Sequence, residues 1–319
     1  MVESGMVKKK GEKDIMKKFT KVSLVLSGLF AGLGILLILI ASIMGAGFHT
    51  LRQMAIDGSF HLWNWHFGED GFYYSSTDGL ERGEQAGSFD SDEVENLVLD
   101  VSQAEILFAD LDESDKITVQ LENGVKSKYS CSLDDGTLTV RYVLKHHSAI
   151  KGGAVITIGI PDGMSFETMD FDIGASSLEI DSSNFSCNTL KMDVGAGDMD
   201  AEYLNVTDRM DLTLGVGNVD ISDGSFGEMR LDCGLGVLNL SGSVGGDVTA
   251  HCGMGELDLE LRGDEKDYDF DISCGLGSLE VNGMSYGGLG GSKTIRNEGA
   301  TKKMKLECGM GNVEVSLYE

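Results

Sequence analysis

The side chains best placed to do chemistry in this sequence are carboxylates that recur about every twenty residues in its second half. Each follows a glycine-rich turn signal, and the recurring position holds Glu179, Asp200, Asp220, Asn239, Asp258, Glu280 and Glu314. Like charges stacked about 5 Å apart repel by roughly 1 kcal/mol even in water. Ca²⁺ or Mg²⁺ would relieve that repulsion, because both ions take oxygen ligands. The pattern leaves two interpretations, a solvated acidic face or a divalent-cation site formed by Asp200, Asp220, Asp258, Glu280 and Glu314.

Cysteine is the second residue type with chemical potential. Four of the six cysteines lie directly before a turn, where other copies of the pattern carry Ile173, Val194 or Leu214; they are Cys233, Cys252, Cys274 and Cys308. We expect free, buried thiols that serve as small apolar side chains. Disulfides between neighbouring copies are the alternative, because their Cα atoms would lie near bonding distance. No Cys-x-x-Cys or Cys–His spacing indicates a metal site.

Spacings typical of catalytic sites are missing from the sequence. There is no nucleophile elbow, P-loop or zinc-protease helix, and alternating apolar residues, which do not predict a helix, follow each Gly-x-Gly. The basic residues Lys191, Arg209, Arg230 and Arg262 are too scattered to form a cleft for an acidic sugar. We therefore expect neither enzymatic activity nor a cofactor, and a polysaccharide-active β-helix enzyme is the least favoured alternative.

The elements that position these residues are copies of one short repeat, in which alternating apolar residues lead into a tight turn and follow it. Successive turns are 19 to 22 residues apart, with one gap of 34. This period, with alternation inside each copy, predicts an all-β fold, a single-stranded β-solenoid or β-helix-like repeat domain. Apolar side chains beside the turns, such as Leu257 and Leu259, should stack into buried columns. The turn glycines are Gly195, Gly197, Gly215, Gly217, Gly234, Gly236, Gly253, Gly255, Gly275, Gly277, Gly309 and Gly311.

The regions around the repeat have less regular patterns. Residues 94–162 read as irregularly spaced strands, which predicts a β cap for a solenoid at 163–319 that carries an insert at 283–300. The chain ends soon after the last copy of the repeat, at Glu319. We therefore expect the final strand, 313–318, to be an uncovered edge through which the protein docks a partner or self-associates.

The N-terminal region predicts a membrane protein. Residues 1–21 carry seven lysines against three acidic residues, although the whole chain has a net charge of −27. Residues 22–48 contain no charged residue and are long enough to span a bilayer. The positive-inside rule then predicts a single-pass protein of the cell membrane, with a cytoplasmic N-terminus and an extracytoplasmic C-terminal domain. Residues 49–93 would form an aromatic juxtamembrane segment and a tether; a cleaved signal peptide is the alternative to the span.

A family resemblance is carried by the strand at 97–101, the segment at 155–161 and the recurring Gly-x-Gly-x-apolar-acidic-apolar unit. Over residues 94–319 the sequence resembles a bacterial, adhesin-like family of unknown function that has C-terminal β-strand repeats. The resemblance implies a non-catalytic domain exposed at the cell envelope, behind a membrane anchor and without an established active site. The sequence is also similar to the C-terminal domains of membrane-bound cell-wall stress regulators.

Two functions follow from these observations. The first is an adhesin-like surface module that binds a wall polymer or another cell. The second is an envelope-stress sensor or regulatory subunit that binds another membrane protein. The predicted partners are the lipid bilayer, through residues 22–48, and an unknown envelope protein or wall polymer. Nucleic acid is excluded as a partner, because the strongly acidic chain would repel it.

Overall fold

The computed structural model describes residues 60–62, 65–68, 71–74, 81–111, 114–144, 153–181, 185–286 and 290–318. The chain divides into two compact units, Met1–Ser75 and Ser76–Glu319. In the first unit, the described residues form an antiparallel three-stranded sheet. Its strands are β1 Phe60–Leu62, β2 Trp65–Gly68 and β3 Gly71–Tyr74.

The predicted localisation requires a correction. No helix among the described residues is long and apolar enough to cross a membrane, and the predicted span at 22–48 and tail at 1–21 lie outside the described residues. The prediction of a single-pass membrane protein is therefore contradicted and is withdrawn.

The second unit is a single twenty-stranded β structure. The only helical elements among its described residues are three-residue 3₁₀ turns, which confirms the all-β prediction. Its strands are β4 Arg82–Asp90, β5 Asn96–Val101, β6 Glu105–Leu111, β7 Lys116–Val125, β8 Tyr129–Asp134, β9 Thr137–Tyr142, β10 Val155–Pro161, β11 Ser165–Ile173, β12 Ser177–Asp181, β13 Ser186–Glu202, β14 Asn205–Cys233, β15 Val237–Val244, β16 Val248–Cys252, β17 Glu256–Arg262, β18 Tyr268–Cys274, β19 Ser278–Val281, β20 Met284–Ser285, β21 Gly291–Ile295, β22 Lys302–Cys308 and β23 Asn312–Tyr318.

The repeat coils into two ladders of strands, which we call sheet I and sheet II. Strands that enter the turns form sheet I in the order β8, β9, β5, β11, β13, β14, β16, β22, β18, β21. Strands that leave the turns form sheet II in the order β4, β7, β10, β6, β12, β13, β14, β15, β17, β23, β19, β20. Pairing between successive rungs is parallel and in register, so the solenoid prediction is confirmed.

The spatial order of the rungs differs from their order in the sequence. The last rung, β22 and β23, lies between the rung of β16 and β17 and the rung of β18 and β19. The predicted edge at 313–318 is therefore wrong for residues 313–315, since Asn312–Val315 pairs on one side with β17 and on the other with β19, whereas the strand pairing of Ser316–Tyr318 is with β17 alone. The hairpin strands β20 and β21 cover the end of the stack instead, by antiparallel pairing with β19 and β18.

The region predicted to be an irregular cap also contributes regular rungs. Strands β5 and β6 pair in parallel with β11 and β12, and β9 and β10 continue the stack beyond them. The predicted tether is corrected in part, because residues 82–90 form β4, which pairs with β7. Exposed residues alternate with partly exposed ones along β4, which is the two-residue period of a strand.

One continuous core lies between the two sheets. The predicted buried columns are confirmed: Leu257 and Leu259 have no exposed surface, and their counterparts in the other copies are at most 4% exposed. Stacking at the spacing of the rungs places each apolar side chain between similar neighbours. Burial of each Leu or Ile side chain stabilises the fold by about 1.5–3 kcal/mol. The alternation that buries these residues turns the intervening polar side chains to solvent.

Candidate binding surface

The recurring carboxylates form one continuous line on the outer face of sheet II, which we call the acidic column. Pairing in register places the residues of the column side by side. Because the last rung is inserted between earlier ones, Glu314 stands between Asp258 and Glu280. The spatial order is Glu179, Asp200, Asp220, Asn239, Asp258, Glu314 and Glu280.

Further carboxylates flank the column on the same face. Positions two residues before and after a column residue also point outward, because strand side chains alternate between faces. With these flanking positions the surface, which we call the acidic face, comprises Glu105, Glu179, Asp198, Asp200, Glu202, Asp220, Glu256, Asp258, Glu260, Glu280 and Glu314. Sequence reasoning identified the column but missed its flanks, although the same alternation marks them.

Carboxylates of the acidic face lack ion-pair partners among the described residues, although Arg262 projects from the same outer face of sheet II, two residues beyond Glu260, and pairs with Asp223 at 2.9 Å. None of the ion pairs found in the described part of the chain involves a residue of the acidic face. Its side chains are held by hydrogen bonds to neutral partners instead. Asn239 Nδ2 donates to Asp220 Oδ1 at 2.6 Å, and Asn218 Nδ2 donates to Asp198 Oδ1 at 3.2 Å.

The outer face of sheet I has a mixed electrostatic character, because it carries basic as well as acidic residues and several of them are paired. Arg209 contacts Asp211 at 2.8 Å, Lys305 contacts Glu307 at 2.9 Å and Lys191 contacts Asp170 at 3.4 Å. The two faces therefore differ in net charge although they share one repeat.

Crowding of carboxylates is strongest around Asp258. Partial burial raises the pKa of Asp258 above its ordinary value, and the neighbouring Glu314, Glu260 and Glu256 raise it further. Repulsion from like charges favours the neutral acid. A positively charged ligand at this point would offset the repulsion and favour the ionised form of Asp258.

Two shallow grooves mark the acidic face. One, of about 240 Å³, runs past Leu107, Glu179, Asp200 and Asp220. The other, of about 190 Å³, is lined by Asp220, Asn239, Asp258 and Glu260, among others. Both are smaller than typical small-molecule pockets, which enclose about 300–1,000 Å³. The surface suits an extended partner better than a small substrate.

The predicted divalent-cation site is not assembled. In the part of the chain that the structure describes, no group of three or more His, Cys, Asp or Glu side chains is arranged to hold a metal ion. The carboxylates of Asp200, Asp220, Asp258, Glu314 and Glu280 come one from each rung, along a line. A Ca²⁺ ion needs six to eight oxygens around it, and a line of single carboxylates does not enclose an ion.

The cysteines form a second column, inside the core. All six are free thiols, and the four that precede turns stack in the order Cys233, Cys252, Cys308, Cys274. Cys308 Sγ donates to the Gly311 carbonyl at 3.2 Å. Burial raises the pKa of Cys187 to about 12 and is the main cause that raises that of Cys308 to about 11. These two thiols stay protonated at neutral pH, which makes them poor nucleophiles.

Comparison with known proteins identifies related sequences and folds. The profile of the Toastrack DUF4097 family matches residues 94–286. No curated protein matches the sequence.

Solved structures with a similar arrangement are distant in sequence. A candidate adhesin from Bacteroides fragilis is 13% identical, with a TM-score of 0.40 over 73% of this chain and 97% of that one. A candidate cell adhesion protein from Clostridium sporogenes is 12% identical, with a TM-score of 0.36 over 74% of this chain and 100% of that one. A candidate adhesin from Parabacteroides distasonis is 12% identical, with a TM-score of 0.35 over 73% and 97% of the two chains.

Proposed function

Since this chain belongs to the Toastrack DUF4097 family, we propose that it is an adhesin-like, non-catalytic surface protein that binds a cationic partner through its acidic face. The partner is a basic segment of a protein or polymer that lies along several rungs. Adhesin is the class of protein named for the similar solved structures. The choice of a cationic partner is supported by the charges of this chain.

The observation that carries the proposal is the contrast between the two outer faces. Sheet I pairs several of its carboxylates with Lys or Arg, as at Asp170 and Asp211, whereas the residues of the acidic face form no ion pair among the described residues. Unrelieved like charges cost stability, and they attract a ligand of opposite sign and speed its association.

The environment of the carboxylates favours binding over catalysis. Acid–base catalysis by two carboxylates needs environments that push their pKa values apart, so that one is an acid and the other a base. On the acidic face the column residues share one kind of environment, an outward position among other polar side chains, and the raised pKa of Asp258 is caused by partial burial and by the surrounding carboxylates. The grooves beside them are shallow. These features support a surface that holds a ligand without transforming it.

The test is binding of poly-L-lysine to the full chain and to two charge-matched variants. The first replaces column residues, Asp220→Asn, Asp258→Asn and Glu314→Gln. The control removes three charges from sheet I, at Asp170, Asp211 and Asp271, each by Asp→Asn. At about 1 kcal/mol for each exposed charge pair, we expect the column variant to bind at least tenfold more weakly and the control to change by less than about threefold. Equal effects of the two variants would refute the proposal, because binding would then follow net charge alone.

A further inference from the structure

A line of exposed apolar side chains runs along the edge where sheet I turns into sheet II. The middle residue of each Gly-x-Gly turn points to solvent, and in five rungs it is large and apolar. The exposed fractions are 50% for Val216, 55% for Leu235, 55% for Met254, 58% for Met310 and 68% for Leu276. We call this line the apolar ridge.

The five residues lie on consecutive rungs. Backbone hydrogen bonds tie four of the five ridge residues to the first glycine of the adjacent turn: Leu235 N donates to Gly215 O, Met254 N to Gly234 O, Met310 N to Gly253 O and Leu276 N to Gly309 O, all at 2.8–2.9 Å. At a strand spacing of about 4.8 Å, the ridge is roughly 19 Å long. Insertion of the last rung makes the ridge continuous, since Met310 fills the place between Met254 and Leu276.

The fold does not require large apolar side chains at these positions. Earlier turns of the same solenoid carry Ala175 and Ala196 at the equivalent place, so a small side chain completes the turn equally well. Single exposed apolar residues are ordinary, but a contiguous line of them is typical of an interaction surface. The ridge therefore indicates a contact that is made outside the described chain.

Charges beside the ridge select the partner. Towards sheet II the ridge borders the acidic face, where Glu256 lies next to Asp258 and no basic residue pairs with either. Towards sheet I the nearest carboxylates already have partners, because Asp232 contacts His251 at 3.1 Å and Glu307 contacts Lys305 at 2.9 Å. A second copy of this chain would bring another acidic face against the first, in a protein of net charge −27. The ridge thus fits a partner whose surface has a stripe of apolar residues with basic residues along one side.

We propose that the apolar ridge docks an amphipathic α-helix whose basic flank lies over the acidic face. The rung spacing of about 4.8 Å is close to the 5.4 Å pitch of a helix, so side chains at i, i+3 or i+4, and i+7 meet successive ridge residues. A ridge of roughly 19 Å accommodates about 13 helical residues. This inference deepens the proposed function and rests on it, because it specifies the form of the cationic partner.

The test uses a synthetic 18-residue peptide of leucine and lysine with all leucines on one helical face. Binding to the full chain is compared with binding to a ridge variant, Leu235→Ser, Met254→Ser and Met310→Ser. A control variant, Met284→Ser and Tyr318→Ser, removes exposed apolar side chains elsewhere; these residues are 49% and 42% exposed. All substitutions are at the surface, so unchanged melting temperatures verify that each variant folds. A second peptide of the same composition, with leucines around the whole helix, serves as the matched ligand control.

The ridge variant should bind the amphipathic peptide at least tenfold more weakly, since about half of three apolar side chains is no longer available for burial. Its affinity for poly-L-lysine and the affinity of the control variant should stay within about twofold. Equal binding of the amphipathic peptide by the ridge variant and the unmodified chain would overturn the inference while leaving the proposed function intact. Loss of peptide binding in the ridge variant but not in the column variant would instead refute the electrostatic function. A dimer that the ridge variant converts to monomer in sedimentation velocity would assign the ridge to a second copy and overturn the helix proposal.

Discussion

Replacement of one turn glycine should destabilise the solenoid through a backbone clash that no side-chain movement can relieve. Gly217 has φ +125°, and a Cβ placed on it would lie 1.9 Å from the carbonyl oxygen of Gly197 in the adjacent rung. The two glycines are partners in the parallel ladder. In Gly217→Ala the two rungs must therefore move apart, or the turn must change conformation.

The cost of Gly217→Ala can be estimated from these two effects. A side chain in a strained backbone conformation costs about 1–3 kcal/mol, and loss of an inter-rung hydrogen bond adds about 1 kcal/mol. We expect a decrease of about 3 kcal/mol in the free energy of unfolding. For a domain of this size the melting temperature should fall by about 6–12 °C.

The assay is urea and thermal unfolding of the full chain, followed by circular dichroism. Gly245→Ala is the matched control, because its Cβ would meet only the Phe226 carbonyl oxygen, at an ordinary 3.6 Å. We expect this control to change stability by less than about 0.5 kcal/mol. A loss below about 1 kcal/mol in Gly217→Ala, or equal losses in both variants, would refute the close approach of neighbouring turns.

Three further predictions test the core, the acidic face and the thiols. Leu306→Ala should lower the free energy of unfolding by about 2–5 kcal/mol, because Leu306 is fully buried between Ala250 and Ile272. Met310→Ala on the exposed ridge should lower it by less than about 0.5 kcal/mol. Similar losses for the two variants in urea unfolding would contradict the inserted position of the last rung. Burial and like charges raise the pKa of Asp258 above 3.8 in the folded chain. The contribution of Asp258 to the free energy of unfolding is therefore fully present below pH 3.8 and is lost as pH rises through the raised pKa. Asp258→Asn should therefore stabilise the chain at pH 7, with an advantage that shrinks towards pH 4, and a pH-independent difference in unfolding free energy would argue against this. Thiol titration without reductant should label all six cysteines in the unfolded chain but at most Cys131 in the folded chain, since the other five are buried; fewer than six reactive thiols in the unfolded chain would reveal a disulfide.

Local features of the fold could be predicted from the sequence because each depends on a single copy of the repeat. Alternation around Gly253 and Gly255 specifies which residues of that rung face the core, and Leu257 and Leu259 are buried as predicted. The same alternation specifies the outer column that contains Asp258. Each prediction needed only the two-residue period of a strand.

The order of the rungs could not be predicted in the same way, since any two rungs pair through identical backbone hydrogen bonds. Insertion of β22 and β23 between earlier rungs is compatible with the sequence pattern but not specified by it. The gap of 34 residues before Gly309 was the one irregularity that could have indicated it. The rung formed by β5 and β6 was missed because Ser102, Gln103 and Ala104 stand where later rungs have Gly-x-Gly.

Parts of the candidate surface were visible in the sequence but were not recognised. The apolar ridge is encoded by the middle residues of successive Gly-x-Gly motifs, such as Leu235 and Met254. Their exposure follows from the turn geometry and not from hydrophobicity, which alone favours burial. The lack of ion pairs on the acidic face depends on which strands carry the basic residues, and this required the assignment of faces.

The most direct test of the central claim is photo-crosslinking in intact cells from one position on each outer face. A benzoylphenylalanine would replace Asn239, within the acidic column, and in a second variant Thr249, on the outer face of sheet I. We expect the crosslinker at position Asn239 to capture a partner with a basic segment, identified by mass spectrometry, and the crosslinker at position Thr249 to capture little. Capture from Thr249 alone, or equal capture of the same molecules from both positions, would contradict it.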